Sequence, residues 1–397
     1  MNATLVYHFV NLALAVLLLT APAAQADDTY EREIKVEPGQ KIELEMDSGG
    51  SVKAEGWDRD LVQIVCTESA NGLENYDLEL KETRGGLRFV GEPKRGHRDN
   101  TNLSVRLMVP REFDIEVESA GGSIRITGVT GEFSGKTGGG QIVLLDVKGH
   151  ADLTTGGGKI RIEDSELNGR VTSGGGGALV KNVVGNVKAS SGGGVVSYQN
   201  VRDRDGDLRS PGGVGSDRHG YGNRANDETI LYSSAGGSID LDEAPEGAIV
   251  STGGGNIEIR NAERFVRAQT GGGSIEIEIR DGVVAANTGA GDIEVEISGG
   301  FGDGDGDVDL STGHGDIVLI LPDGISAELD LDLSYTRNSS RDYEIFSDFD
   351  IDQERTSKWD SSHGSPRKHI YGTGTVGRGG VKVKINCVNG NIRVKSR

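Results

Sequence analysis

Aspartates crowd into three short stretches of this chain, and closely spaced carboxylates are natural ligands for a hard divalent cation. Asp203, Asp205 and Asp207 alternate around Gly206. Asp303, Asp305, Asp307 and Asp309 alternate through a glycine-rich stretch, and Asp348, Asp350 and Asp352 precede Glu354. Calcium takes about six to eight oxygens, so the Asp303–Asp309 quartet is the candidate calcium site. The plainer reading of each cluster is a polar loop, since none has the ligand spacing of a helix–loop–helix calcium motif. A longer acidic series comprises Asp240, Asp242, Glu258, Glu276, Glu278, Asp292, Glu294, Glu296 and Asp316, with Arg260 among them. On neighbouring strands such a stripe would bind calcium or a basic partner, or form a solvated face that blocks edge aggregation.

Other chemistry is poorly provided for. The seven histidines, among them His97, His150, His219, His314, His363 and His369, show no zinc-ligand spacing. No Ser/His/Asp or Cys/His constellation stands out. Aromatic residues make up 5% of the chain, too few to line a polysaccharide-cleaving cleft. No catalytic residue and no resident cofactor are therefore expected, calcium apart. The formal charge of -20, from 62 acidic and 42 basic side chains, repels phosphate backbones and anionic headgroups. That excludes nucleic acid as a partner and favours a cationic one.

A repeat positions these carboxylates. Glycine is followed two residues later by an aliphatic at Gly122, Gly140, Gly158, Gly176 (with Ala178) and Gly194, in steps of 18 residues. The phase resumes at Gly237, Gly255, Gly273 and Gly291 after a gap of 43. That gap is one turn plus a 25-residue insertion, at about Arg202–Thr229. The next step, to Gly315, is 24 residues. A period kept across an insertion is the signature of stacked structural repeats.

Stacking the turns shows what each column does. Ile124, Ile142, Ile160, Val196, Ile239, Ile257, Ile275, Ile293 and Ile317 share one column, and Ile126, Leu144, Ile162, Val180, Tyr198, Leu241, Ile259, Ile277, Val295 and Leu319 share the next. Mostly polar residues separate them, so the local period is two and the segment is a strand. A second apolar series half a turn away includes Phe133, Ala151, Val187, Ala248, Val266 and Val284. The expected fold is all-β: a single-stranded parallel β-solenoid with two short strands per 18-residue turn, capped by degenerate β segments at both ends. A three-faced hexapeptide helix needs an inward aliphatic every six residues, and Lys148 and Thr154 break that pattern from Ile142. A calcium β-roll needs aspartate at a fixed place in each nonapeptide, which is missing.

Glycine runs such as Gly156–Gly158 are expected to supply positive φ at one corner, and Asp146, Asp164, Asn182, Asn200 and Asn261 to mark the other. A third column holds hydroxyls: Ser119, Thr137, Thr155, Ser173, Ser191, Ser234, Thr252, Thr270, Thr288 and Thr312. It reads as an internal ladder in which hydroxyls bond along the stack, in preference to an ice- or sugar-binding face.

Four segments follow. Residues 1–26 read as a signal peptide, with an apolar run from Phe9 to Leu19 and Ala24-Gln25-Ala26 as the cleavage site. Residues 27–118 form an N-terminal β cap region, 119–321 the repeat, and 322–397 a C-terminal segment closing the stack. No integral membrane segment is expected after cleavage, so the chain should be periplasmic, surface-associated or secreted. Cys387 falls in the hydroxyl column and Cys66 continues the inward alternation of Val62 and Ile64, near opposite ends of the stack, so both are expected to be free, buried thiols.

Several flanking residues carry a family resemblance. They are Gly56-Trp57-Asp58, Pro322-Asp323-Gly324, Ser347-Asp348-Phe349, and the closing glycine-rich loop with Asn389-Gly390-Asn391-Ile392. Through them the chain resembles a large bacterial family of β-strand-repeat proteins of unknown function, whose adhesin label rests on architecture. The resemblance covers essentially the whole chain after the leader. It implies a solenoid at the bacterial envelope; the expected partner is an envelope or surface protein or glycan, with a calcium-dependent polysaccharide-binding module as the alternative and a glycan-active β-helix enzyme as the third reading. It implies no catalytic residues.

Overall fold

The computed structural model describes residues 29–47, 49–68, 72–96, 103–202, 230–245, 247–301, 307–339, 342–361 and 365–397. The signal-peptide reading, the insertion with Asp203, Asp205 and Asp207, and Asp303 and Asp305 lie outside them. Among the described residues the chain is all-β. Thirty strands and one single-turn 3₁₀ helix, Leu73–Asn75, occur, and the strands link into one long, unclosed sheet.

Strand pairing through the middle of the chain is parallel, and its register is set by the repeat. Ile142 lies opposite Ile124 on one side and Ile160 on the other, Ile160 opposite Ala178, and Ala178 opposite Val196. Phe133 lies in the same way between Ile115 and Ala151. The long insertion leaves the register intact, because Val196 pairs with Ile239 and Tyr198 with Leu241. So does the 24-residue step, because Ile293 pairs with Ile317. The inward columns Ile124, Ile142, Ile160 and Val266, Val284 are all buried. Each larger aliphatic contributes about 1.5–3 kcal/mol of burial. Tyr198 and Tyr232 bracket the insertion and stack inside the core, with ring centroids 3.7 Å apart.

The Asp and Asn corners behave as their chemistry requires. Asp146, Asp164, Asn182, Asn200 and Asn261 all adopt φ between 49° and 51°, a left-handed conformation that short polar side chains tolerate. Their side chains also link successive repeats: Asn182 donates to Asp164 and Asn200 to Asn182, each at 2.9 Å. A one-residue bend barely interrupts pairing. In Ile160–Ser173 and Ile257–Thr270 the two half-repeats merge through this bend into one 14-residue strand; Ile275–Thr288 is equally long, with Ile279 in place of the Asp or Asn corner.

The glycine corner departs from expectation. None of Gly156, Gly157 and Gly158 has positive φ. Glycine is needed there because backbones approach too closely for a side chain. A Cβ on Gly158 would lie 1.9 Å from the carbonyl oxygen of Gly140, and one on Gly156 would lie 2.1 Å from that of Gly138, while Gly157 faces open space.

The hydroxyl column is internal, but its bonds differ from those expected. The hydroxyls do not bond one another. Each donates to the backbone of the preceding repeat: Thr137 to Gly122, Thr155 to Gly140, Ser173 to Gly158 and Thr252 to Gly237, at 2.7–2.8 Å. These four also accept the N–H of their own anchor glycine, as Thr155 does from Gly158 at 3.0 Å. Cys387 replaces the hydroxyl in the last repeat, opposite Thr312, and its thiol donates to Gly315 at 3.1 Å.

Among the described residues antiparallel pairing is confined to the ends. Thr29–Lys35 pairs with Leu61–Glu68, which pairs with Leu103–Pro110. Tyr76–Thr83 pairs with Gly86–Pro93. At the other end Ala327–Thr336 pairs with Arg367–Val376, and that strand with Asp352–Arg355. Cys66 and Cys387 are free and buried, and burial pushes both thiols up to about 12.

Candidate functional site

The acidic series is assembled by parallel register. Asp240 lies opposite Glu258, Glu258 opposite Glu276, and Glu276 opposite Glu294. Glu278 and Glu296 form a second pair one side-chain row away. Because alternate residues of a strand share a face and neighbouring strands are roughly 4.8 Å apart, four carboxylates form a ladder on the outer surface.

One cation serves the start of this ladder. Arg260 contacts Asp242 at 2.6 Å and also meets Asp240 and Glu258. The hydrogen bond to Asp242 leads in holding its guanidinium above the ordinary range. Burial raises the Asp240 carboxyl despite Arg260. Beyond Arg260 the charges accumulate. Burial, followed by Glu258, Glu294 and Glu278, raises the carboxyl of Glu276. Glu276, Glu278 and Glu294 form no ion pair among the described residues. Glu296 meets Arg397 at 3.1 Å.

A cavity of about 450 Å³ opens where the ladder reaches the 24-residue step, lined by Asp292, His314, Asp316, Tyr343 and Asn389 with Ala290, Gly291 and Gly315. Asp316 is already committed: it accepts the Asn391 N–H and Arg393, each at 2.8 Å. Burial pushes its carboxyl up, but these partners outweigh it and hold it below the usual range. Asp292 accepts the N–H of Asp316 at 2.8 Å.

The candidate calcium residues divide between described and undescribed parts of the chain. Asp307 accepts the Lys382 N–H at 3.2 Å. Asp309 lies opposite Lys384; burial raises its carboxyl while Lys384 acts in the other direction. Asp303 and Asp305 are outside the described residues. No group of three or more His, Cys, Asp or Glu able to hold a metal occurs among the described residues. In the third cluster Asp348 accepts the Ser396 N–H at 3.1 Å, whereas Asp352 and Glu354 lie exposed on an edge strand.

Sequence reasoning missed one pairing. His369 Nδ1 lies 2.8 Å from the Asp332 carboxylate, and its ring stacks on Tyr371 at 5.4 Å. The two residues are 37 apart and meet only through antiparallel pairing at the C-terminal end, which leaves no periodic signal. No hydroxyl or thiol bonds the His369 ring among the described residues.

No family model matches the chain, and no curated protein matches it. Solved structures do. One, described as a "putative adhesin" from Parabacteroides distasonis ATCC 8503, is 16% identical with a TM-score of 0.35, covering 68% of this chain and 97% of that one. Another, a "putative cell adhesion protein" from Clostridium sporogenes ATCC 15579, is 9% identical with a TM-score of 0.20, covering 93% and 100%. A third, a "putative lipid binding protein" from Parabacteroides distasonis ATCC 8503, is 13% identical with a TM-score of 0.26, covering 75% and 98%. Adhesin descriptions recur among these neighbours. No helix among the described residues is long and apolar enough to cross a membrane.

Proposed function

We propose that this chain is an exported, non-catalytic binding module of the bacterial envelope, built as a parallel β-solenoid of 18-residue turns, and that it engages a basic partner through its outer carboxylate ladder. The 18-residue register of the pairings supports the solenoid, and the apolar Phe9–Leu19 run before Ala24-Gln25-Ala26 supports export. The observation that carries the binding role is the set Glu276, Glu278 and Glu294, held on two adjacent strands and forming no ion pair among the described residues. Like charges at strand spacing destabilise a sheet, and a basic partner relieves that cost on docking. The carboxylates stand along an open face instead of converging on a cleft, which favours binding over catalysis.

The test is surface plasmon resonance against immobilised poly-L-lysine at physiological salt. Binding should weaken at least about tenfold in Glu276→Gln/Glu294→Gln, one lost contact being on the order of 1.4 kcal/mol. Undiminished binding by that variant removes the ladder from the proposal.

The cavity at the 24-residue step favours a second reading, a saccharide seat. Asp292, His314 and Asn389 line it together with Tyr343, a mixture of polar and aromatic groups of the kind that sorts hydroxyl groups. Calcium would enter through the Asp303–Asp309 quartet. A glycan array with and without calcium, compared with Asp292→Ala, separates this reading from the first.

A further inference from the structure

The carboxylate ladder is half of a longer row. Followed strand by strand toward the N-terminal end, the row reads Glu294, Glu276, Glu258, Asp240, Ser197, Leu179, Arg161, Val143, Arg125, Lys53, Arg106. Within this span one side carries four acids, the other four bases, and Ser197 and Leu179 between them are uncharged; beyond it the row continues from Glu294 to Val318, Arg393 and Phe346, and from Arg106 to Val65 and Glu31. Val195, two residues before Ser197 and so on the same face, is 51% exposed, the largest exposure among the big apolar side chains. Lys53 and Arg161 also meet Glu55 and Glu163. Arg106 and Arg125 form no ion pair among the described residues, which matches the unpaired state of Glu276 and Glu294 at the far end.

From this polarity we infer that the face pairs with the same face of a second copy of this chain, in a two-fold dimer whose axis passes between Leu179 and Ser197. The inference rests on the reading of the ladder as the interaction surface, and it names the partner. About that axis Arg161 faces Asp240, Arg125 faces Glu276 and Lys53 faces Glu294 of the other copy, while Glu258 faces Val143 and Arg106 faces Val318; in the next row Asp242 falls by Glu163 and Glu296 by Glu55, each of these acids already holding a cation of its own copy. A two-fold interface requires self-complementarity of this kind. The exposed Val195 falls at the centre and the charges at the rim, the usual anatomy of a stable interface. Ten strands symmetric about the axis, at roughly 4.8 Å and each presenting four or five residues, offer on the order of 600–800 Å². A standard interface takes about 800 Å² per partner. Long-range repulsion between two chains of charge -20 is screened beyond about 8 Å at physiological salt, while charges in contact are not.

Sedimentation velocity at about 0.15 M salt over a hundredfold concentration range tests this. The purified chain should sediment as a dimer. Arg125→Glu and Glu276→Arg should each weaken association at least about tenfold, and the two together should restore it to within about threefold, as direct partners do in a double-mutant cycle. Both residues point to solvent, and thermal unfolding of each variant checks that the fold is kept. Val195→Ser, which changes no charge, should also weaken the dimer. Sedimentation as a monomer throughout overturns the inference, as does failure of the double exchange to rescue. If the chain is monomeric yet still binds poly-L-lysine through Glu276 and Glu294, self-pairing falls and the ladder reading stands. If it does neither, both fall.

Discussion

Thr155 and Gly140 are joined by a 2.8 Å hydrogen bond, side-chain hydroxyl to backbone carbonyl, between successive repeats. The same hydroxyl accepts the N–H of Gly158. One buried oxygen thus satisfies a donor in its own repeat and an acceptor in the previous one. Thr155→Val keeps the shape and strands both groups. Leaving buried polar groups unpaired should destabilise the chain by about 1–3 kcal/mol. The exposed neighbour Thr154→Val should stay within about 0.5 kcal/mol. Urea denaturation midpoints of the two variants provide the comparison.

Gly157 and Gly158 are adjacent and identical in type, yet they should respond in opposite ways to alanine. A Cβ on Gly158 collides with the Gly140 carbonyl, while one on Gly157 meets nothing within 4 Å. Gly158→Ala should cost about 3 kcal/mol or more through forced separation of the backbones. Gly157→Ala should be neutral or stabilising by up to about 1 kcal/mol, through the unfolded chain. Equal melting temperatures would refute the close-approach account of the glycine corner.

Burial raises the thiols of Cys66 and Cys387 to about 12. The unfolded thiol ionises near about 8.5. The neutral thiol is therefore the form the fold prefers. Its contribution is complete below about pH 8.5 and disappears as pH rises toward the folded value. Stability should fall through that window, and Cys387→Ser should reduce the slope, since the column otherwise uses hydroxyls. Both thiols should resist iodoacetamide until the chain is unfolded. Rapid native alkylation at pH 8 would contradict their burial.

Arg260 neutralises Asp240, Asp242 and Glu258 together. Arg260→Met leaves three neighbouring carboxylates without a counterion. The loss should be about 1–2 kcal/mol at pH 7, between the values for surface and buried pairs. The Asp240 and Glu276 carboxyls are already raised in the fold, so ionising them costs stability. That penalty is absent below their unfolded values, near about 4, and grows as pH rises through the folded ones. The Arg260→Met deficit should shrink on acidification or added salt. A deficit unchanged from pH 4 to pH 8 would argue for a packing role instead.

Much of the architecture was legible because each repeat addresses its neighbour at a fixed offset. The columns Ile142, Ile160 and Ala178, read as stacked from spacing, are hydrogen-bonded neighbours. The phase kept from Gly194 to Gly237 reappears as the pairing of Val196 with Ile239. Even Cys387, an isolated thiol, could be placed in the hydroxyl column. What a column cannot reveal is which atom a side chain bonds. Thr155 reaches a carbonyl and not the next hydroxyl, and Gly158 avoids a clash without adopting unusual φ. The acidic ladder followed from periodicity, whereas the His369–Asp332 contact did not, since antiparallel strands at the end join residues with no common spacing.

The antiparallel ends also bear on how far such an object can grow. A stack of parallel repeats presents, at either end, a template shaped to receive one more repeat, and identical molecules adding there would make a filament without limit. Three of the four terminal edges, Thr29–Lys35, Tyr76–Thr83 and Asp352–Arg355, instead run against their neighbours and are rich in charged side chains. The fourth, Ile345–Ser347, is only three residues long. Short or charged edges resist further strand addition, which favours a stack of definite length over a fibre.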